Sequence, residues 1–264
     1  MLKTIVLLSN MKINTQYELI KENFRNFKIR ENALYITDSE ELLGELKECP
    51  VLFVNNEDRF IDNVKFVTDS LSDCDDDYFN MVYSRQKGLP LEILQTDRTI
   101  IREICVDDLE ELYNMYNDEL IRKFLEPLYE YEEEKLFTEK YIEHMYGLYG
   151  YGLWIVLDKI SGEIIGRVGI EIRNIDGEEK NELGYSIKRE YRNKGYASET
   201  CKAVLEYARD ILDMEEMFCV TSENNQISRH LSAKLGFEFY GVSETDNEKF
   251  MILQKKLKKI EKST

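Results

Sequence analysis

The stretch ELGYSIKREYRNKGYASE, residues 182–199, decides how the chain is read. Its first six residues alternate, with Leu183, Tyr185 and Ile187 on one side of a strand and Glu182, Gly184 and Ser186 on the other. A short basic loop follows, containing Arg192, Lys194 and Gly195. An amphipathic helix then opens: Ala197, Cys201, Val204, Leu205, Ala208, Ile211 and Leu212 define one face, and Glu199, Lys202, Glu206, Arg209 and Asp210 the other. The loop therefore lies at a helix N-terminus, where unpaired N–H groups gather about half a positive charge. Gly195 has no Cβ, so backbone amides can approach an anion closely there. Strand, basic glycine turn and helix together fit a phosphate or pyrophosphate, and an ordinary solvated turn has the same composition.

The basic loop stands out because the chain is acidic, with a formal net charge of -17 over 264 residues and a pI near 4.7. Acidity argues against a nucleic-acid binder, which needs a broad basic surface, and suits a cationic small substrate or peptide. A hydrophobic content of 43% with 11% aromatics supports packed cores, and the length admits one large domain or two ordinary ones. The opening MLKTIVLLSNMKINT reads as a buried strand rather than a signal peptide, and no apolar stretch approaches membrane-spanning length, so no membrane partner is expected. Cys49, Cys74, Cys105, Cys201 and Cys219 are odd in number and form no C-x-x-C, as expected of reduced thiols in a cytoplasmic protein. With only His144 and His230, a multi-histidine metal site or a Ser-His-Asp triad has few ways to form, and no metal is expected.

Two parts are visible along the chain. Residues 1–95 read as a small α/β unit with some parallel pairing: strand ALYIT at 33–37, a helix over DSEELLGELKE, strands PVLFVNN and VKFVT, and a helix ending at Gly88. The acidic run DCDDD at 73–77 lacks the glycine-containing calcium loop and is better read as a helix start. Gly88 and Pro90 mark a break, and a second domain is expected over 96–264. There the pattern predicts strands at 99–104, 152–158, 163–174, 180–188, 216–221, 237–241 and 248–257. It predicts helices at 107–118, 132–146, 196–212 and 225–235, a turn at Asp176-Gly177, and a frayed lysine-rich tail.

Downstream of the loop, SENNQISRHLSAKLGFEFYG at 222–241 places Asn225, Ser228, Leu231 and Leu235 at helical spacing, stopped by Gly236. Taken with that segment, residues 97–257 resemble the GNAT superfamily of acetyl-CoA-dependent N-acetyltransferases. The branch containing ribosomal-protein alanine acetyltransferases is the most similar. The resemblance rests on Arg192-x-x-Gly195-x-Ala197, on Asn225-x-x-Ser228 with Leu235-Gly236-Phe237, and on TDRTIIREICVDDLEELYNMY at 96–116. Residues 1–95 lie outside it. It implies a mixed, mostly antiparallel sheet flanked by helices, making the whole chain α/β (α+β), with acetyl-CoA as co-substrate. By the same resemblance, the segment Arg192, Asn193, Lys194, Gly195, Tyr196, Ala197 and Ser198 cradles the CoA pyrophosphate. Ile187 lies where the strand splays to take the pantetheine arm, and Asn225 bonds near the thioester. The reaction implied is direct attack of a primary amine on the thioester.

A protonated amine must lose a proton before it attacks, so a base or a water relay is required. Glu182 leads into the loop and matches a recurrent family carboxylate; a solvated strand glutamate is the plainer reading. If Asp176-Gly177 is a two-residue hairpin turn, Glu171 pairs opposite Glu182 and the facing carboxylates raise one pKa, unless one pairs with Arg167 or Arg173. Many superfamily members carry a tyrosine seven residues after the Asn, and here that position is Ser232. Ser228 can orient or relay a proton, or bond its own backbone. Glu126 and Tyr129 in FLEPLYEYEEE, with Tyr149, Tyr151 and Trp154 in MYGLYGYGLW, are candidates for an acceptor pocket, although such aromatics also build cores. Two other readings stay open: a non-catalytic acyl-CoA-binding module with partner recognition by residues 1–95, and a nucleotide site in that N-terminal part. A homodimer is compatible with the sequence.

Overall fold

The computed structural model describes residues 1–9, 11–22, 27–57, 60–62, 64–175, 177–245 and 248–257. It separates into two compact units, Met1–Leu91 and Glu92–Thr264. No helix of the described residues is long and apolar enough to cross a membrane.

The first unit holds β1 (Thr4–Leu7), β2 (Glu18–Lys21), β3 (Ala33–Thr37), β4 (Val51–Val54), β5 (Val67–Thr68) and helix α1 (Asp76–Lys87). The sheet order is β2-β1-β3-β4-β5, and every pair is parallel. Parallel sheets are covered on both faces, which is why TIVL, ALYIT and VLFV are continuously buried rather than alternating. Ile5, Leu34, Phe79 and Val82 build the core of one face, and Val6, Tyr35, Leu42 and Leu46 that of the other. The helix expected over 38–48 is a correction: only Glu40–Leu42 forms a single tight turn, followed by further turns through Cys49. Gly44 interrupts the segment, and a glycine costs a helix interior about 1 kcal/mol. The acidic run does start α1, where the Asp75 side chain accepts the Tyr78 N–H at 2.8 Å.

The second unit contains β6 (Glu92–Gln95), β7 (Thr99–Arg102), α2 (Leu109–Tyr116), α3 (Glu119–Phe124) and α4 (Tyr131–Tyr141), which runs on as a π-helical segment, Ile142–Tyr149. Then come β8 (Leu153–Asp158), β9 (Ile164–Ile175), β10 (Glu178–Ile187), α5 (Tyr196–Asp210), β11 (Glu216–Ser222), α6 (Gln226–Lys234), β12 (Glu238–Thr245) and β13 (Glu248–Lys256). The sheet order is β12-β13-β11-β10-β9-β8-β7-β6. All pairs are antiparallel except β10–β11. Glu92–Gln95 pairs with β7, so this unit begins a few residues before the break expected near 96. The helix expected over 107–118 ends at Tyr116, and α3 restarts where Asp118 caps the N–H groups of Leu120 and Ile121. Asp176 of the expected turn and residues 258–264 of the tail lie outside the described residues.

The core on one sheet face brings Leu183, Val168 and Ile170 against Cys201, Val204 and Ala208 of α5. On the other face, Gly169 of β9 lies opposite Gly184 of β10 and beside Leu153 of β8. A Cβ at Gly169 would overlap the Gly152 carbonyl oxygen. Gly169→Ala is therefore expected to lower stability by about 1–3 kcal/mol, read as a reduced urea midpoint of the full chain. An unchanged midpoint would contradict this packing.

Candidate active site

β10 and β11 run parallel but meet at one rung, Glu182 opposite Phe218. Beyond that rung the described strands part, so residues 183–187 border a gap in the middle of the sheet. The Val220 N–H, just past the rung on β11, donates to Glu182 Oε1 at 3.0 Å rather than to a β10 carbonyl. A carboxylate thus plugs the vertex of the opening.

Glu182 is 6% exposed. Glu171 lies directly opposite it on β9, as the hairpin register predicts, and Arg173 forms an ion pair with it. Burial pushes the Glu182 pKa up to about 7; the attraction of Arg173 pulls it down, and the Glu171 carboxylate adds to the rise. Arg173 is half exposed, so water weakens its pull, and burial wins. Glu171 leans over the glycine pair: a Cβ on Gly184 would stand 2.8 Å from its Oε2 and 3.2 Å from Leu153 Cδ1. The three acidic or basic groups and the bare glycines share one sheet face.

The opposite face of the gap is polar in another way. The Tyr185 hydroxyl donates to Ser228 Oγ at 3.0 Å, and burial raises its pKa far above the usual phenol. Asn225 caps α6 by accepting the Ser228 N–H at 3.1 Å. Ser232 is buried beside Cys219, with Oγ and Sγ 3.3 Å apart. Ser228 therefore bonds Tyr185 across the gap, which sequence reasoning did not foresee.

At the end of β10, Ile187 is 7% exposed. Asn193 (φ 58) and Gly195 (φ 86) adopt the left-handed conformation, a pattern that turns successive amides toward one concavity. Gly195 is the N-cap of α5 and contributes no capping side chain, which leaves the amides of Tyr196, Ala197 and Ser198 without one. Asn193, Lys194 and Gly195 are exposed. Arg192 departs from expectation. Its Nη2 bonds Asp118 Oδ1 at 2.7 Å and its Nε the Ile187 carbonyl at 2.9 Å, so its charge ties the loop to α3 instead of supplementing the amides. Arg98 occupies the neighbourhood instead. It donates to the Lys194 carbonyl at 3.0 Å, pairs with Glu199 and lies 4.1 Å from the Tyr196 ring centre. Nothing local in the sequence joins positions almost a hundred residues apart.

The expected pocket residues do not converge as a set. Trp154 is corrected: it is fully buried and packs edge-on against Tyr207 of α5, on the face away from Leu153 and Glu171. Strand alternation from Leu153 dictates this. Tyr151 donates to Asn181 Oδ1 at 2.9 Å, one residue before Glu182, and Tyr149 contacts its ring. Tyr129 packs on Phe137 of α4 and Glu126 is exposed. His144 and His230 are exposed.

With this geometry described, the comparisons with known proteins fall into place. Residues 98–238, inside the second unit, match the family model for the acetyltransferase (GNAT) domain. A Bacillus subtilis (strain 168) protein named as an uncharacterized N-acetyltransferase, YoaA, is 30% identical over 157 residues, covering 57% of this chain and 85% of that one. The ribosomal-protein-S5-alanine acetyltransferase of Vibrio fischeri shares the fold with a TM-score of 0.53 at 19% identity, over 64% of this chain and 97% of its own. The spermidine N-acetyltransferase of Vibrio cholerae, solved with CoA and spermine, shares it with a TM-score of 0.51 at 21% identity, over 61% and 96%.

The raised Glu182 pKa has a consequence for stability. Between the usual carboxylate value and about 7, the folded protein holds a proton that the unfolded chain has released. Its stabilising effect is complete below pH 4.5 and is lost as pH rises through 7. Stability of the wild type relative to Glu182→Gln should fall by roughly 2–3 kcal/mol across that window, measured by urea unfolding at each pH. A pH-independent difference would contradict the burial of an ionisable group at the vertex.

Proposed function

The chain belongs to the GNAT acetyltransferase family, and from that premise we propose that it transfers an acetyl group from acetyl-CoA to a primary amine. The observation that carries this reading is the single-rung β10–β11 ladder with the Glu182 carboxylate at its vertex, continuing directly into the uncapped α5 terminus. The amides from Asn193 to Ser198, in residues exposed up to Gly195 and half-buried beyond it, suit the pyrophosphate. The β10 edge at 183–186, short of the Ile187 carbonyl that Arg192 holds, suits the amide-bearing arm, and Asn225 caps the helix whose Ser228 bonds Tyr185.

The residues divide the chemistry between the two faces. An amine arrives protonated, with a pKa of about 10 if lysine-like and about 8 if an α-amine. Glu182, directly or through one water, takes that proton; a base titrating near 7 is matched to neutral pH. The amine nitrogen then bonds to the carbonyl carbon and the carbon–sulfur bond breaks, its electron pair leaving on sulfur. The second nitrogen proton is lost as the amide forms, and the thiolate takes up one proton. Because Tyr185 donates to Ser228, the serine hydrogen is available to a second acceptor, which is the Cys219 thiol in this structure and the thioester sulfur when acetyl-CoA is bound, and Ser232 leaves the usual tyrosine position without an acid. The free cysteines suit a reducing compartment, which is the basis for placing this activity in the cytoplasm.

Acetyl-CoA should raise the melting temperature of the full chain, and CoA should be released when an acceptor amine is added. Glu182→Gln should lower kcat by about a hundredfold or more while acetyl-CoA affinity holds. The wild-type rate should rise with pH through about 7, and that limb should vanish in the variant. No thermal shift at saturating acetyl-CoA, or full turnover in Glu182→Gln, would refute the proposal.

A further inference from the structure

Resting on that acyl-transfer reading, we infer that the acceptor carries a carboxylate close to its amine, and that Arg167 is the group that recognises it. Arg167 stands on β9 opposite Ser186 of β10 and Ile155 of β8, on the same strand face as Gly169 and Glu171. Its Nη1 reaches only the Tyr116 hydroxyl, at a long 3.4 Å. Its Nε is buried without a hydrogen-bond partner. Among the described residues no carboxylate lies within ion-pair distance of it.

Among the described residues of this unit, Arg98 pairs with Glu199, Arg102 with Asp108, Arg173 with Glu182, Arg192 with Asp118 and Arg209 with Asp210. Arg122, Arg189 and Arg229 are exposed to water, so Arg167 differs in being withdrawn from solvent without a carboxylate. A buried N–H left unsatisfied costs about 1–3 kcal/mol, so an unpartnered guanidinium beside a reaction site asks for an anion from outside. The surrounding tyrosines do not answer it. The Tyr141 hydroxyl accepts the Leu153 N–H at 2.6 Å and the Tyr146 hydroxyl donates to the Leu153 carbonyl at 2.7 Å, so both are committed to the β8 backbone. They wall the site without neutralising it.

Charge is distributed along β9 and β10 in a definite order. Arg167 stands at one end, the side-chain-free Gly169–Gly184 pair lies in the middle, and Glu171 opposite Glu182 closes the other end. Four residues of strand separate the Cα atoms of Arg167 and Glu171 by about 13 Å, and both side chains shorten that span. An ammonium at the carboxylate end and a carboxylate at the arginine end match this dipole. An amino-acid-like zwitterion fits, its amine presented to Glu182 and its carboxylate held in the planar fork of the guanidinium. A polyamine would place like charge against Arg167, and a protein N-terminus offers an uncharged amide there.

The test uses the full chain, acetyl-CoA, free L-amino acids, their matched amides, and spermidine, with CoA release as the readout. Free acids should exceed their amides in kcat/KM by about tenfold or more, chiefly through KM. Arg167→Met should abolish that preference, and Arg167→Lys should keep part of it, since a lysine retains the charge but not the fork. The acetyl-CoA thermal shift of each variant reports that it is folded. Equal use of acids and amides, better use of spermidine, or an acid preference that survives in Arg167→Met would overturn the inference while leaving acyl transfer intact. Acetyl-CoA binding with no CoA release to any of these amines would overturn this inference, and the absence of an acetyl-CoA thermal shift would overturn the acyl-transfer reading and this inference with it.

Discussion

The second unit is organised around one hydrogen bond, from the Val220 N–H to the Glu182 carboxylate. Two parallel strands placed side by side would ordinarily continue pairing, because every unmade rung leaves polar groups to be satisfied. Here the side chain of one strand takes the donor of the other and the ladder stops at a single rung. Burial at that vertex moves its titration toward neutrality, against the pull of Arg173 and of the Val220 N–H itself. The carboxylate that ends the ladder is therefore also the one whose titration burial shifts.

An acidic chain needs to hold cations where they matter, and it does so by assigning them. Lys188 pairs with Glu111, Arg192 with Asp118 and Arg98 with Glu199, so the loop after β10 is fixed by side-chain pairs and presents backbone amides. An anion bound there meets dipoles already oriented, with little reorganisation. On the sheet face, the bare glycine pair leaves side-chain space between Arg167 at one end and Glu171 opposite Glu182 at the other. The same local rule, which side chain is spent and which is not, separates scaffold from site.

Much of this was legible in the residues. The alternation of 182–187 and the three-and-four spacing of α5 follow from one buried face each, so they declare themselves locally. Glu171 opposite Glu182 was legible because a tight turn fixes a hairpin register arithmetically. Trp154 was not: its strand is short and apolar on both faces, and only the phase set by Leu153 decides which way it points. The helix expected over 38–48 failed because Leu42, Leu43 and Leu46, although in helical spacing, also fit turns between buried parallel strands. The fates of Arg192 and Arg98 depended on partners 74 and about a hundred positions away, which no window of sequence contains. The unpaired state of Arg167 is likewise a property of packing.

The central claim is that the gap beside β10 and the amides of the following loop receive acetyl-CoA. Hydrogen exchange of the backbone amides, with and without acetyl-CoA, tests it most directly. The account predicts slowed exchange at 183–187 and 193–198 and no change across residues 1–91. Binding that protects the first unit, or that leaves both of these segments exchanging as before, would contradict it.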